Sequence, residues 1–255
     1  MTSQEILKRA RNATCAVGVF VKPMLEHRKD PIAPDFRIVG TGFLVHDTVV
    51  MTNRHVLEDL YELEDKKGIP KDQFYVSFVY PRKGQEPNWQ LTYSPIRYSG
   101  IAEQHGIDIG LIEISRHDTQ PDFKQCMPLN FGDLSDIYIG APVAMWGYPT
   151  GTDLLQPSLG LGAKTEEKLC RIGPVLQQGF ISAGTPFEVE PGTNELLLDI
   201  RTYNGMSGSA VFLPHSGTVI GIHYKGNKVT TSVALPLDTN TVSGLLKNYY
   251  SAKEA

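Results

Sequence analysis

Three short segments carry side chains that could together form a nucleophilic catalytic site. They are TNRHV around His55, GIDIGL around Asp108 and NGMSGSA around Ser207. An imidazole can take the proton of a serine hydroxyl, and a carboxylate can hold the imidazole in the required tautomer. Each segment alone is common in structural roles, but the chain order His, Asp, Ser is one of the known orders for this constellation. We therefore predict that His55, Asp108 and Ser207 are catalytic.

The glycine before Ser207 fits the same chemistry. A tetrahedral oxyanion must be met by backbone N–H groups, and a glycine can adopt the backbone conformation that turns such a group inward. Gly205 lies two residues before Ser207, so the N–H groups of Gly205 and Ser207 are the predicted oxyanion hole. Ser209 is the nearest rival nucleophile, but no glycine lies two residues before it.

These segments need strands to position them. From Cys15 onward, short β-branched and aromatic runs are separated by Gly, Pro, Asn and Asp, which is typical of a β-protein. The predicted strands are 16–21, 37–45, 74–80, 89–98, 107–114, 143–146, 195–201, 210–213, 219–224 and 229–234. A polar stretch at 115–122 divides them into two comparable groups, which predicts two packed β-barrels.

Helices are predicted at both ends of the chain. Thr2 and Glu5 have the spacing of a capping box, and the apolar residues that follow predict a helix over residues 3–12. The C-terminal helix is predicted from four apolar residues on one helical face, Val242, Leu245, Leu246 and Tyr249. Asp238 or Thr239 could cap it. The predicted domains are 1–13, 14–118 and 119–255, and two surface insertions are expected at 62–72 and 150–168.

Composition and charge exclude several classes of function. The chain has 255 residues, of which 41% are hydrophobic and 20% charged, as in an ordinary globular protein. Its net charge of −4 provides no global positive field, so we expect no nucleic-acid partner. No apolar run reaches the roughly 18–20 residues that span a bilayer, and no signal peptide is visible, so we expect no membrane partner and a cytoplasmic protein.

The cysteines give no indication of a metal or cofactor. Cys15, Cys126 and Cys170 are odd in number and too widely spaced for a zinc knuckle. Free cysteines mostly behave as small hydrophobic residues, so we expect three reduced, buried thiols. No metal site and no cofactor are predicted.

The segments around these residues resemble the chymotrypsin superfamily of serine proteases. The resemblance covers roughly residues 14–250 and rests on GTGFLV at 40–45, TNRHV at 52–56, DIGL at 108–111, GYP at 147–149, GMSGSAVF at 205–212 and VIGIHY at 219–224. Within the superfamily, the chain is most similar to bacterial glutamyl endopeptidases and then to high-temperature-requirement proteases. The resemblance implies two six-stranded antiparallel β-barrels of chymotrypsin type.

The resemblance also implies residues that bind substrate. In the glutamyl group, the positions of His223 and Thr202 line the pocket for the residue before the scissile bond, called P1. The backbone of Tyr224 to Gly226 is expected to pair with the substrate as an added strand. The chain departs from these families at Met206, where they usually have Asn or Asp, and at Ala210, where they have Pro.

Two interpretations of function follow. The first is a serine endopeptidase that acts on polypeptides through an acyl-enzyme, with cleavage after acidic P1 residues. The second is an inactive or weakly active binding module on the same fold, which the unusual Met206 makes conceivable. An esterase of the α/β-hydrolase fold is excluded because it would need Gly-x-Ser-x-Gly and the order Ser, Asp, His. A regulatory protein partner is left open.

Overall fold

The computed structural model describes residues 1–20, 36–81, 89–101, 107–115, 125–135, 137–149, 173–185, 195–226 and 231–254. Cys170 and the predicted insertion at 150–168 lie outside these residues, as does most of the polar stretch at 115–122. The predicted domain boundary therefore stays a prediction.

The first barrel is closed by six antiparallel strands in the order β1-β2-β3-β6-β5-β4, with β4 paired to β1. Its strands are β1 (Thr14–Phe20), β2 (Phe36–His46), β3 (Val49–Thr52), β4 (Phe74–Pro81), β5 (Trp89–Ile101) and β6 (Gly110–Ile114). Nearly every described residue of β1 to β3 is buried, because barrel strands alternate between the barrel interior and the outer packing layer.

The second barrel is closed in the order β11-β8-β9-β10-β13-β12, with β12 paired back to β11. Its strands are β8 (Pro142–Gly147), β9 (Val175–Thr185), β10 (Glu195–Leu198), β11 (Ala210–Phe212), β12 (Thr218–Gly226) and β13 (Ser232–Pro236). A two-residue strand, β7 (Asn130–Phe131), adds in parallel to β12. The predicted fold class, two six-stranded antiparallel barrels with terminal helices, is confirmed.

Three helices accompany the barrels in the described chain: α1 (Ser3–Ala13), α2 (Arg54–Lys67) and α3 (Thr239–Glu254). The sequence predicted α1 and α3 but not α2, and it assigned residues 62–72 to an insertion. Residues 62–67 are instead the end of α2, which buries Val56, Leu57, Leu60 and Leu63. Gly68 ends the helix with φ +65°, and its N–H donates to the carbonyl of Glu64 at 2.9 Å.

Helix α1 packs across both barrels. The Thr2 capping box is present, and the helix buries Ile6, Ala10 and Ala13. The indole N–H of Trp146 on β8 donates to the carbonyl of Leu7 at 3.0 Å. The N-terminal helix therefore ties the start of β1 to the second barrel.

Helix α3 returns from the second barrel to the first. Asp238 accepts the N–H of Thr241 at 2.6 Å and so caps the helix, as one of the two predicted alternatives. The ring of Tyr249 lies 5.4 Å from that of Tyr98 on β5. Lys253 and Glu113 form an ion pair at 2.6 Å.

The two described cysteines fit the prediction of buried thiols. Cys15 and Cys126 are fully buried and are not joined by a disulfide. Burial raises the pKa of the Cys15 thiol well above its ordinary value. None of the helices in the described residues is long and apolar enough to cross a membrane.

An aromatic cluster closes the end of the first barrel that faces β8. The Phe20 ring lies 4.9–5.2 Å from the rings of Phe36, Tyr75 and Tyr93, and Phe20 is completely buried. Tyr148, which follows β8, packs in the same cluster. These contacts join the first barrel to the end of a strand in the second.

We predict that this cluster contributes strongly to stability. Phe20→Ala should lower the free energy of unfolding by about 3–5 kcal/mol, because it leaves a cavity among rings that cannot collapse into it. Phe180, which is 52% exposed, offers a matched control. Phe180→Ala should change stability by less than about 1 kcal/mol. If urea denaturation shows an equal loss of unfolding free energy in the two variants, the aromatic cluster does not make the predicted contribution to stability.

Candidate active site

His55 and Asp108 meet at the N-terminus of α2. The Nδ1–H of His55 donates to Oδ2 of Asp108 at 2.6 Å, and the backbone N–H of His55 donates to Oδ1 at 3.0 Å. The N-cap residue of α2, Asn53, makes no side-chain capping bond, so the carboxylate of Asp108 takes that role from another segment. The amide of Asn53 instead donates to the carbonyl of Asp108 at 2.9 Å.

The local backbone aims Asp108 at the helix. The N–H of Ile109 donates to the carbonyl of Ile107 at 2.9 Å, which makes a three-residue turn with Asp108 at its apex. Gly110 follows, and a side chain there would collide with Leu57 of α2. The glycine therefore lets β6 approach α2 closely enough for the pair to form.

The hydrogen bonds from His55 favour the ionised form of Asp108. Burial by itself would raise the pKa of Asp108, but the hydrogen bonds from the His55 ring and backbone outweigh it and hold that pKa below its ordinary value. The side chain of Asp108 is 16% exposed and that of His55 is 37% exposed. An ionised Asp108 fixes the proton on Nδ1, which leaves Nε2 of His55 free to accept one.

Residues 203–209, here called the Ser207 loop, begin with a tight turn. The N–H of Met206 donates to the carbonyl of Tyr203 at 3.1 Å, and Gly205 has φ +86°. A type I turn would need a negative φ at Gly205, whereas a type II turn requires this positive value. The two types differ by a flip of the peptide between Asn204 and Gly205, so the turn type sets the direction of the Gly205 N–H.

Both predicted oxyanion donors are available in this conformation. Within the described part of the chain, neither the N–H of Gly205 nor that of Ser207 donates to a backbone carbonyl. Gly208 follows with φ +89°, and a Cβ there would overlap the carbonyl oxygen of Thr41. Only glycine allows the loop to come this close to β2.

The loop brings Ser207 to the barrel that carries His55. The N–H of Thr41 donates to the carbonyl of Ser207 at 2.8 Å. The position of a Cβ on Gly40 would lie 2.6 Å from Val56, the neighbour of His55, and 3.3 Å from the Ser207 carbonyl. Among the described residues, the Ser207 hydroxyl has no hydrogen bond to His55, which is common before substrate binds.

The rival nucleophile Ser209 is occupied elsewhere. Its hydroxyl is fully buried and donates to the carbonyl of Met206 at 2.7 Å, and its N–H donates to the same carbonyl at 3.1 Å. Met206 itself packs into the core of the second barrel. An Asp or Asn side chain at that position would need a polar partner, so the departure from the resembled families has a local physical reason.

The residues predicted to bind P1 come together beside the Ser207 loop. Thr202 and His223 are 3% and 2% exposed. A Cβ on Gly226 would overlap the Thr202 hydroxyl and lie 3.7 Å from Nε2 of His223. Both polar atoms, Thr202 Oγ1 and His223 Nε2, are buried without a hydrogen bond to any residue that the structure describes. Buried polar atoms are rarely left unpaired, and a bound substrate group is one way in which these two could be satisfied.

Sequence analysis missed a third residue of this group. Ser232 on β13 pairs directly with Gly226, so its side chain projects from the same face of the sheet. The Ser232 hydroxyl is also completely buried, and it has no hydrogen-bond partner in the described part of the chain. We call Thr202, His223 and Ser232 the polar pocket. Only the strand register reveals Ser232, because a serine near a strand end carries no signal of its own.

The ring of His223 has a defined tautomer. Its Nδ1 lies 3.2 Å from the carbonyl oxygen of Met206, which can only accept a hydrogen bond, so Nδ1 carries the proton. Burial lowers the pKa of His223 to about 4. The backbone carbonyls of Met206 and Lys225 act in the other direction, because they favour the protonated ring, but burial has the larger effect. With Nδ1 protonated, Nε2 of the neutral ring carries a lone pair.

Tyr224 and Gly226 lie where a substrate strand could add. Strand β12 pairs with β11 only as far as Ile222, and it skips Tyr224 in its pairing with β13. In the described chain no strand pairs with the other edge of residues 224–226. The phenol of Tyr224 donates to Glu195, and burial raises the pKa of Tyr224. Its side chain is thereby held away from the open backbone edge.

Comparison with known proteins agrees with this geometry. A family model described as a trypsin-like peptidase domain matches residues 40–222, more than half of the chain. The chain belongs to this family. It is therefore of serine-protease type, and the matched residues include His55, Asp108 and Ser207 but end before His223. No curated protein sequence matches the chain.

The fold is also similar to that in a crystal structure of Deg5. The TM-score is 0.55 at 14% sequence identity, with 94% of this chain and 90% of that chain covered. A likeness at this identity concerns the fold alone. The resemblance to glutamyl endopeptidases is not tested by either comparison. In the described residues, no group of three His, Cys, Asp or Glu side chains is arranged to hold a metal.

The buried state of His223 predicts a defined loss of stability in acid. The unfolded chain binds a proton on His223 below about pH 6.5, whereas the folded chain resists it down to about pH 4. The free energy of unfolding should therefore fall by about 3 kcal/mol as the pH is lowered through this window. His223→Asn, whose amide can replace Nδ1, should lose this dependence.

His215 is exposed and provides the control. His215→Asn should keep the wild-type dependence of unfolding free energy on pH, measured by urea denaturation between pH 4 and 7. If His223→Asn is as acid-sensitive as the wild type, the histidine is not held neutral by burial.

Proposed function

We propose that the protein is a serine endopeptidase that cleaves peptide bonds through an acyl-enzyme on Ser207. The observation that carries this proposal is the His55–Asp108 pair at 2.6 Å, set at a helix N-terminus beside a Ser207 loop with both oxyanion donors available. In a catalytic triad, a carboxylate orients the imidazole in this way so that its other nitrogen can accept the proton of the nucleophile.

Each group has one role in the proposed reaction. Nε2 of His55 takes the proton of the Ser207 hydroxyl as Oγ bonds to the scissile carbonyl carbon. The carbonyl electron pair moves onto oxygen, where the N–H groups of Gly205 and Ser207 stabilise it. Collapse breaks the C–N bond, and His55 gives its proton to the leaving amine. Water, activated by His55, then releases the acyl group from Ser207.

Asp108 acts through His55 throughout these steps. Its carboxylate accepts Nδ1–H of the ring and therefore stabilises the imidazolium that forms in each transition state. The second hydrogen bond, from the backbone N–H of His55, keeps the carboxylate in place while the ring charge changes.

We further propose that the polar pocket selects an acidic P1 residue, Glu more than Asp. The hydroxyls of Thr202 and Ser232 can each donate to a carboxylate, and their burial removes competition from water. His223 can donate only if Nε2 gains a proton, because Nδ1 is already committed to Met206. Binding of a P1 carboxylate should therefore take up one proton.

The substrate backbone is held separately from the P1 side chain. We propose that residues 224–226 add the substrate as an antiparallel strand at the open edge of β12. This pairing would place the P1 residue beside Gly226, directly over Thr202. Main-chain bonds would then supply affinity, and the pocket would decide the P1 residue.

The second candidate is a binding module without catalysis. Met206, which replaces a polar residue in the resembled families, favours it, although Met206 is packed in the core and leaves the oxyanion donors available. A fluorophosphonate probe separates the two functions. Labelling of the wild type but not of Ser207→Ala requires an activated serine, and the absence of labelling in the wild type would favour the binding module.

The catalytic residues should act as a unit. Ser207→Ala and His55→Ala should each remove most of kcat, and the double variant should lose little more, because neither residue works without the other. Asp108→Asn should lower kcat on the order of 10⁴-fold by stabilising the wrong imidazole tautomer. Additive losses in a cycle of single and double variants would show that Ser207 and His55 do not share a mechanism.

The proton taken up by His223 predicts how P1 preference changes with pH. The ratio of kcat/KM for a P1 Glu peptide to that for the matched P1 Gln peptide should fall by up to about tenfold per pH unit between pH 6 and 8. A carboxamide can donate to neutral Nε2 and needs no extra proton. Taking the ratio cancels the titration of the catalytic groups, which both peptides share.

Two variants check the source of this dependence. His223→Ala should lower kcat/KM for the Glu peptide far more than for a P1 Leu peptide, and it should make the Glu/Gln ratio independent of pH. Ser232→Ala should weaken Glu discrimination while leaving the pH dependence in place. A preference for apolar P1 residues that is untouched by His223→Ala would show that the pocket does not select acidic residues.

A further inference from the structure

Thr41 on β2 belongs to the first barrel and forms hydrogen bonds to the Ser207 loop of the second barrel through its backbone N–H and its hydroxyl. Thr41 is completely buried. Its backbone N–H donates to the carbonyl of Ser207 at 2.8 Å, and its carbonyl accepts the hydroxyl of Thr52 at 2.7 Å. A Cβ on Gly208 would overlap the same carbonyl, so the loop lies directly against Thr41.

The hydroxyl of Thr41 makes two hydrogen bonds that an apolar side chain could not make. It donates to the carbonyl of Gly205 at 2.7 Å and accepts the N–H of Tyr148 at 3.0 Å. A hydroxyl can do both at once because it has one proton and two lone pairs. Valine has the same shape and can do neither, whereas serine can do both.

These bonds hold the peptide that joins Gly205 to Met206 and the peptide that joins Ser207 to Gly208. The Gly205 carbonyl is fixed by the Thr41 hydroxyl, and the N–H at the other end of that peptide is fixed by Tyr203. The Ser207 carbonyl is fixed by the backbone of Thr41. The two oxyanion donors, the N–H groups of Gly205 and Ser207, belong to the peptides next to these fixed ones.

We propose that Thr41 is a positioning residue for the oxyanion hole, and that its side-chain hydroxyl couples the first barrel to the catalytic geometry of the second. This inference rests on the proposed serine-protease function. Thr41 does not touch the substrate. It acts by holding Gly205 in the conformation with φ +86°, in which the Gly205 N–H is available.

Tyr148 gives the arrangement its rigidity. The residue is completely buried within the aromatic cluster around Phe20, so its backbone N–H cannot move away to meet another acceptor. The Thr41 hydroxyl is therefore oriented from one side by Tyr148, and its proton points to the Gly205 carbonyl. Loss of the hydroxyl would leave a buried donor and a buried acceptor unpaired, and the loop would relax to satisfy them.

The test compares Thr41→Val with Thr41→Ser in the full chain. Thr41→Val should lower kcat by about 10–100-fold with KM changed less than about twofold, because displaced oxyanion donors matter most in the transition state. A peptide aldehyde, whose adduct with Ser207 places an oxyanion in the hole, should lose affinity by a similar factor. The product peptide from the amine side of the cleaved bond, which has no group in the oxyanion hole, should bind as before.

Matched variants separate positioning from stability. Thr14→Val removes another buried hydroxyl, which donates to the carbonyl of Ala10 at 2.9 Å and makes no hydrogen bond to the Ser207 loop among the described residues. It should lose stability as Thr41→Val does but keep kcat and aldehyde affinity. Thr41→Ser should restore both to near the wild-type values. If Thr41→Val does not fold, Thr41→Ala is measured in its place, since it removes the hydroxyl without retaining bulk.

The outcomes are distinguishable. A Thr41→Val or Thr41→Ala enzyme with wild-type kcat and aldehyde affinity would overturn the inference and leave the serine protease in place. So would equal losses in product-peptide and aldehyde binding, or a Thr41→Ser variant as impaired as Thr41→Val. A wild type that neither turns over peptides nor is labelled by a fluorophosphonate would overturn the proposed function and this inference together.

Discussion

A short row of hydrogen bonds between β2 and the Ser207 loop holds the two halves of the proposed active site together. His55 belongs to the first barrel and Ser207 to the second, so neither barrel alone brings them into reach. Thr41 contacts the loop through its N–H and its hydroxyl, and Gly208 lets the loop lie against it. A misplacement of about 1 Å can cost on the order of 10² in rate, so this junction carries much of the catalytic precision.

The polar pocket differs from this hydrogen-bonded junction, because its buried polar groups lack partners among the described residues. Thr202, His223 and Ser232 each bury a polar atom that makes no hydrogen bond with another described residue. An unpaired buried polar group costs roughly 1–3 kcal/mol, which a polar P1 side chain would relieve on binding. A site built this way rejects apolar residues more effectively than a hydrophobic pocket can reject a slightly different shape. The carbonyl of Met206 links the two regions, because it fixes the His223 ring from within the Ser207 loop.

Features that depend on residues close together in the sequence could be predicted from the sequence. The strand runs, the Thr2 capping box and the C-terminal apolar face are local patterns, and the predicted barrels and terminal helices are present. Helix α2 was not predicted. Its apolar residues begin immediately after the His55 motif, and the end of the helix was interpreted as a surface insertion. Strands β3 and β9 were also missed, since β3 has only four residues and β9 contains two glutamines and two glycines that weaken the strand pattern.

The sequence by itself determined the fold class and the residue types needed for chemistry, because those depend on periodicity and on spacing along the chain. It did not determine that Ser209 is occupied, that the His223 ring is neutral, or that Ser232 belongs to the polar pocket. Those facts depend on which carbonyl faces each side chain and on how β12 and β13 pair. Hydrogen-bond partners distant in sequence and exclusion from water arise only when the chain packs, so the tertiary structure alone decided them.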